Sequence, residues 1–145
     1  MRIIIKSTAV TILFFSSFMV FASPADDAKS HFKAIAQGDV DGSMSSYINS
    51  SVFQWVGGPL DGAYVGRDAI RGVWSKFAKA NAPMELSVDN LQTNVNPKGA
   101  TVTANVAFKG KKAVKVRYVL TYRDGKLVNE VWQIDPKLMA GHMDY

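Results

Sequence analysis

Residues 100–134, ATVTANVAFKGKKAVKVRYVLTYRDGKLVNEVWQI, alternate apolar and polar side chains in three successive runs. A period of two sends every second side chain to one face of a pleated strand. Val102, Ala104, Val106 and Phe108 therefore share a face, as do Val114, Val116, Tyr118, Leu120 and Tyr122, while Lys115, Arg117 and Thr121 take the opposite, wet side. Gly110-Lys111-Lys112 and Arg123-Asp124-Gly125-Lys126 separate the runs. Connections so short join antiparallel neighbours, and Asp124-Gly125 supplies the positive φ angles of a tight hairpin. Ala100–Phe108, Ala113–Tyr122 and Leu127–Ile134 are thus strands of a meander, preceded by Glu85–Gln92 and the turn Asn96-Pro97-Lys98-Gly99.

Upstream of Pro83 the period is helical. Asp26 to Gln37 places Ala28, Phe32, Ile35 and Ala36 on one stripe, with acidic residues in its first turn and Gly38 past its end. Val40, Met44, Tyr47 and Ile48 predict a second short helix directly after it. Ser51–Val56 reads as a strand with Phe53 and Trp55 on one side, and Gly57-Gly58-Pro59 and Asp61-Gly62 then force a loop. A third helix starts at Arg67, carries Ile70, Val73, Trp74 and Phe77 inward, and stops before Asn81 and Pro83. Helices followed by a meander of antiparallel neighbours predict an α+β domain.

The chain has 145 residues, 48% of them hydrophobic, and no cysteine. That length suits one domain and excludes disulfide staples and cysteine-zinc sites. Met1–Ala22 pairs Arg2 and Lys6 with an apolar run from Ala9 to Phe21, the pattern of a secretory signal cut after Val20-Phe21-Ala22. The run would span roughly 20 Å as a helix, short of the ~30 Å hydrocarbon core, so no membrane attachment is expected after cleavage. The expected mature protein is residues 23–145, one periplasmic or secreted domain. Without Arg2 and Lys6 its 15 basic and 12 acidic residues leave +3. Lys109, Lys111, Lys112, Lys115 and Arg117 fall on a turn and the strand after it, which suits a solvated edge and gives no nucleic-acid surface.

The order of elements, with Ala36-Gln37-Gly38-Asp39-Val40 at the first inter-helix turn, Val65-Gly66-Arg67-Asp68-Ala69-Ile70 at the third helix start, and Asp124-Gly125-Lys126-Leu127-Val128 before a strand bearing Trp132, resembles the SnoaL-like branch of the nuclear transport factor 2-like superfamily. The resemblance covers about Asp26 to Asp135. It implies a cone-shaped roll of three helices packed on a curved antiparallel sheet, whose open end holds a pocket, on a fold that hosts isomerases, dehydratases, hydrolases and binding modules alike. Laid on the ketosteroid-isomerase pattern, the chain has Trp55 at the position of the catalytic carboxylate, His31 at that of a tyrosine donor and Tyr118 near the second donor. Trp55 accepts no proton, so the resemblance argues against that isomerase chemistry.

Side-chain chemistry narrows the rest. Two histidines, no cysteine and no Gly-x-Ser-x-Gly elbow leave little for a nucleophilic triad. No metal-ligand spacing and no phosphate-cradling loop occur, so no cofactor and no metal are expected. His31 sits on the edge of the first helix's apolar stripe, where it is a boundary histidine or a pocket acid–base group. His142 lies in the tail. Glu130 is either a partly desolvated base in the cone or an outward partner of Lys115 or Arg117, and the pairing is preferred. His31, Glu130 and Tyr118 form the candidate catalytic set, and Phe53, Trp55, Tyr64 and Tyr118 the candidate ligand-binding wall. The sequence thus favours a domain binding a small hydrophobic or aromatic molecule, with cofactor-free catalysis as the alternative and a homodimer through the outer sheet face as a third reading.

Overall fold

A computed structural model describes residues 22–138. The expected signal run, apart from Ala22, and His142 lie outside the described residues. Three helices, α1 (Pro24–Gln37), α2 (Val40–Met44) and α3 (Arg67–Asn81), cover one face of a six-stranded sheet built from β1 (Tyr47–Val56), β2 (Gly62–Val65), β3 (Glu85–Asn96), β4 (Gly99–Lys109), β5 (Ala113–Arg123) and β6 (Lys126–Ile134). The strands lie in the order β2-β1-β6-β5-β4-β3, and the curved sheet does not close. This is the expected α+β roll. Its one departure from an antiparallel sheet is that β1 runs parallel to β6, because the chain leaves β1 through β2 and α3 and returns by the far edge.

Local chemistry explains the helix ends. Ser23 Oγ accepts from the Asp26 amide, Pro24 occupies the first turn, and Asp26 and Asp27 face the positive end of the helix dipole. Gly38 ends α1 in the left-handed region at φ 72°. A Cβ at Gly38 would stand 2.6 Å from the Ala82 Cβ, so glycine also lets the ends of α1 and α3 approach.

Two local expectations change. The second helix stops at Met44, and Tyr47 opens β1 instead of completing a helical stripe. Gly42 is a weak helix former, and Ser43, Ser45 and Ser46 carry hydroxyls that compete for backbone partners. Ser45 Oγ indeed donates to the Gly42 carbonyl. The Gly-rich loop, moreover, ends in the short strand β2, which pairs antiparallel with β1 from Val52↔Val65 to Trp55↔Gly62.

The inward faces of the sheet and of α1 and α3 meet in a core of Phe32, Phe53, Trp74, Phe108, Leu120 and Trp132, each at most 2% exposed. Helix α1 packs on β3 and β4, and α3 on β1 and β2. Rings touch rings throughout: Phe53 stacks on Trp74 at 5.0 Å, Trp132 on Phe108 at 5.1 Å, and Trp55 lies 4.7 Å from Trp132. Such pairs add about 0.5–1.5 kcal/mol each beyond their buried area. Among the described residues no helix is long and apolar enough to cross a membrane.

Candidate active site

Four elements send polar side chains into this apolar interior. Helical spacing carries His31 inward from α1, three residues after Ala28 and four before Ile35, and its ring is 4% exposed. Tyr47 enters from the first position of β1, and Tyr118 from the middle of β5. Glu130 arrives from β6 and is fully buried.

A bulge precedes Glu130 in β6. Thr121 pairs with Asn129 but Tyr122 with Leu127, so Val128 is an extra residue in β6. Leu127 and Glu130 therefore both point inward although three positions separate them. Strict alternation groups Glu130 with Val128, Trp132 and Ile134; Trp132 shares its inward face, whereas Val128 is only half buried. The preferred pairing of Glu130 with Lys115 or Arg117 does not form. Arg117 bonds Asp135 at 2.8 Å on the outer face.

The carboxylate of Glu130 meets three donors. Tyr118 Oη donates to Oε2 at 2.6 Å, His31 Nε2 lies 2.7 Å from the same oxygen, and Tyr47 Oη donates to Oε1 through a short bond. Trp74 Nε1 in turn donates to Tyr47 Oη at 3.0 Å. An ionised carboxylate only accepts, so it is well served by this arrangement, which assigns the proton on Nε2 to His31. The histidine ring is boxed edge-to-face by Tyr47, Trp74 and Tyr118 at centroid distances of 5.6, 6.0 and 6.3 Å.

Burial, and then the charge of Glu130, push the Tyr47 and Tyr118 phenols well above their ordinary range. Both stay neutral donors. Tyr122 is raised by the same two causes, followed by the charge of Asp27. Its hydroxyl and Trp132 Nε1 are buried without a hydrogen-bond partner among the described residues.

The structure therefore brings His31, Glu130 and Tyr118 together, and adds Tyr47 and Trp74. Reading Tyr47 as helical hid its role. The signal was the Ser45-Ser46 pair, which ends a helix just before it. Arg67 fixes the junction by donating from Nη1 to the carbonyls of Met44 and Tyr47. Of the expected ligand wall, Phe53 and Trp55 are packed in the core at 0% and 3% exposure. Trp55 Nε1 donates to the Gly57 carbonyl and Tyr64 Oη to that of Leu60, so their polar tips secure the 57–62 loop. Only Tyr118 reaches the carboxylate.

On its helical side, His31 also lines an open groove of about 420 Å³ between α1 and the segment 39–46. A carboxylate that accepts from one nitrogen of an imidazole and orients the ring leaves the other to take or give a proton, which is the logic of a general acid–base dyad. Among the described residues no group of three or more His, Asp or Glu is placed to hold a metal ion.

Residues 28–130 match the family model of the SnoaL-like domain. A comparison with curated protein sequences finds no match. Among solved structures, the chain is similar to an NTF2-like protein of unknown function from Pseudomonas putida, with 16% identity, a TM-score of 0.65, and 77% of this chain and 84% of that one covered. It is similar to a putative calcium/calmodulin-dependent protein kinase type II association domain from Thiobacillus denitrificans, with 15% identity, a TM-score of 0.64 and coverage of 80% and 98%. A protein of ketosteroid isomerase-like fold from Catenulispora acidiphila, solved with trimethylamine, aligns at 11% identity and a TM-score of 0.60, over 79% and 88%. At these identities the likeness is one of fold.

Proposed function

Because the chain belongs to the SnoaL-like domain family, whose fold is compatible with ligand binding and with isomerase-type roles, we propose that it moves a proton on a small molecule, with His31 as the acid–base group and Glu130 as the carboxylate that positions it. The observation that carries the reading is the buried 2.7 Å contact between Nε2 and Oε2, joining α1 to β6 across 99 residues. The carboxylate missing at Trp55 is supplied from the neighbouring strand, where Glu130 lies beside Phe53. Tyr47 and Tyr118 hold the carboxylate in place. No cofactor is needed for a reaction of this kind.

The test is hydrogen exchange. The mature chain is incubated in heavy water with a panel of neutral ketones, hydroxyketones and thioesters, and deuterium uptake beside the carbonyl is followed by proton NMR. At least one compound is expected to exchange faster with protein, and His31→Gln to slow that exchange about 100-fold. No acceleration across the panel, or an undiminished rate in a folded His31→Gln, overturns the reading.

A second reading, binding without chemistry, draws on Trp132 Nε1, a buried donor with no partner among the described residues, which the carbonyl or hydroxyl of a ligand would satisfy. Retention of a molecule by wild type but not Trp132→Phe, in native mass spectrometry after exposure to a metabolite extract, distinguishes it.

We further propose export. Cleavage after Ala22 leaves Ser23, the N-cap of α1, as the first residue, whereas cleavage after Ala25 removes the cap. Expressed in a bacterium with its own leader, the protein is expected in the periplasm or medium with a mass beginning at Ser23. A product retaining Met1 in the cytoplasm overturns this.

A further inference from the structure

We propose that the groove between α1 and residues 39–46 binds a small neutral molecule rich in hydroxyl groups, a polyol or sugar, through Nδ1 of His31. This names the substrate class of the proposed site and rests on the reading of His31 as its working group.

Asp27, Ser30, His31, Ala34 and Gln37 follow one another along α1 at steps of three, one, three and three, so they form one wall of the groove. Asp39, Gly42, Ser45 and Ser46 form the other. That wall is held rigidly: Asp39 Oδ1 accepts from the Gly42 amide at 2.9 Å, and Ser45 Oγ donates to the Gly42 carbonyl at 2.8 Å. A Cβ at Gly42 would stand 2.3 Å from Asp39 Oδ2 and 3.3 Å from the Ala34 Cβ, so glycine keeps the two walls close without closing the space between them.

The ligand's anchor is His31. Every hydrogen bond of its ring to a described residue is made by Nε2, to Glu130 at 2.7 Å and to the hydroxyls of Tyr47 and Tyr118 at 3.4 Å. Nδ1 lies across the ring from that cluster and has no partner among the described residues, although the side chain is nine-tenths buried. With the Nε2 proton committed to Glu130, neutral His31 offers an acceptor at Nδ1, and a hydroxyl group supplies the matching donor.

The lining selects the rest of the molecule. Ser30, Gln37 and Ser46 bring side-chain hydroxyl and amide groups that make no hydrogen bond to described residues, and Ala34 is the one apolar side chain. A large apolar ligand would leave these groups unsatisfied. Asp27 and Asp39 repel an anion, and Lys33 offsets part of their pull on a cation. A neutral molecule with several hydroxyls meets neither charge unfavourably and pairs with each polar group.

The test uses the mature chain and D-ribose as probe, with glycerol as a smaller second probe. Imidazole nitrogens are followed by long-range proton–nitrogen NMR, in which His31→Gln assigns the two histidines. Ribose at roughly 1–10 mM is expected to shift Nδ1 of His31 and leave His142 unmoved. Ser30→Trp, at an exposed position that overhangs the groove, is expected to weaken the response at least about tenfold while Nε2 keeps its Glu130-bonded signature. A response to indole, putrescine or citrate in place of ribose and glycerol overturns the proposal, as does no response to any of them, or a ribose response that survives Ser30→Trp. The outcome is separable from that of the exchange assay: ribose binding without exchange leaves the groove and removes the chemistry, and exchange without ribose binding does the reverse.

Discussion

Glu130→Leu is expected to destabilise the mature domain by about 3–5 kcal/mol, because removing one member of a buried charged cluster strands the others. Its midpoint should fall on the order of 10–20 °C, since each kcal/mol moves a domain of this size by several degrees. Three donors lose their acceptor at once: the hydroxyls of Tyr47 and Tyr118 and the Nε2–H of His31. None can turn to water, because the residues bearing them are buried. Tyr47 Oη keeps Trp74 Nε1, but there it accepts, and its own proton is still orphaned. Tyr118→Phe supplies the contrast. It removes one donor and leaves Glu130 with two, so about 1–2 kcal/mol is expected. Glu130→Gln should fall between, since the amide keeps one acceptor oxygen and turns its NH2 toward groups that also donate. Urea unfolding followed by circular dichroism ranks the three, and a Glu130→Leu protein as stable as wild type would mean that the buried carboxylate costs as much as its bonds return.

How far the sequence could anticipate this cluster depends on the range of the interactions involved. Helix α1, helix α3 and the meander were legible because each is decided locally, by a stripe at helical spacing, a glycine past a helix end, or Asp124-Gly125 between alternating runs. His31 and Tyr118 were legible as inward residues for the same reason. Tyr47 was not, because its spacing from Met44 satisfies a helix as well as a strand start, and the serines that stop α2 carry a weaker signal than the apolar period. Strand β2 escaped notice because Gly62–Val65 is short and holds its place only by pairing with β1. Alternation puts Glu130 on the face of Trp132, but the bulge at Val128, which lets Leu127 share that face, is a mismatch between two strands that neither shows alone. Glu130 also needs three donors brought from 12, 83 and 99 residues away, a condition no local pattern records.

The same geometry separates this chain from a simple aromatic-walled cone. Phe53 and Trp55 point inward as alternation requires, but Trp74, Trp132 and each other's rings already occupy the space before them. What the interior retains is polarity at one place, where α1, β1, β5 and β6 converge. The fold supplies the enclosure, and the choice of His31 and Glu130 supplies a chemical capacity that the enclosure alone does not have.

Raising the pH should open the domain in one cooperative step. Tyr47, Tyr118 and Tyr122 all have phenols lifted above the ordinary value, by burial first and by the charge of Glu130 second. In the unfolded chain each ionises near about pH 10. Below that value both states hold all three protons, so the stabilisation from keeping these phenols neutral is fully present. Above it the unfolded chain releases protons that the folded chain retains, and stability falls as the pH climbs toward the folded-state values. Each group contributes a slope of about 1.4 kcal/mol per pH unit, so the three together contribute about 4. Against a typical stability of about 5–15 kcal/mol, the fold is expected to fail roughly one to four units above pH 10. Phenolate absorbance from these residues should therefore appear together with the loss of circular dichroism. Tyr118→Phe removes one of the three groups and should reduce the slope by about a third. Smooth ionisation of all the tyrosines around pH 10, with the circular dichroism unchanged, would show that Tyr47 and Tyr118 are not enclosed beside a carboxylate, and the acid–base reading of His31 and Glu130 would lose its structural basis.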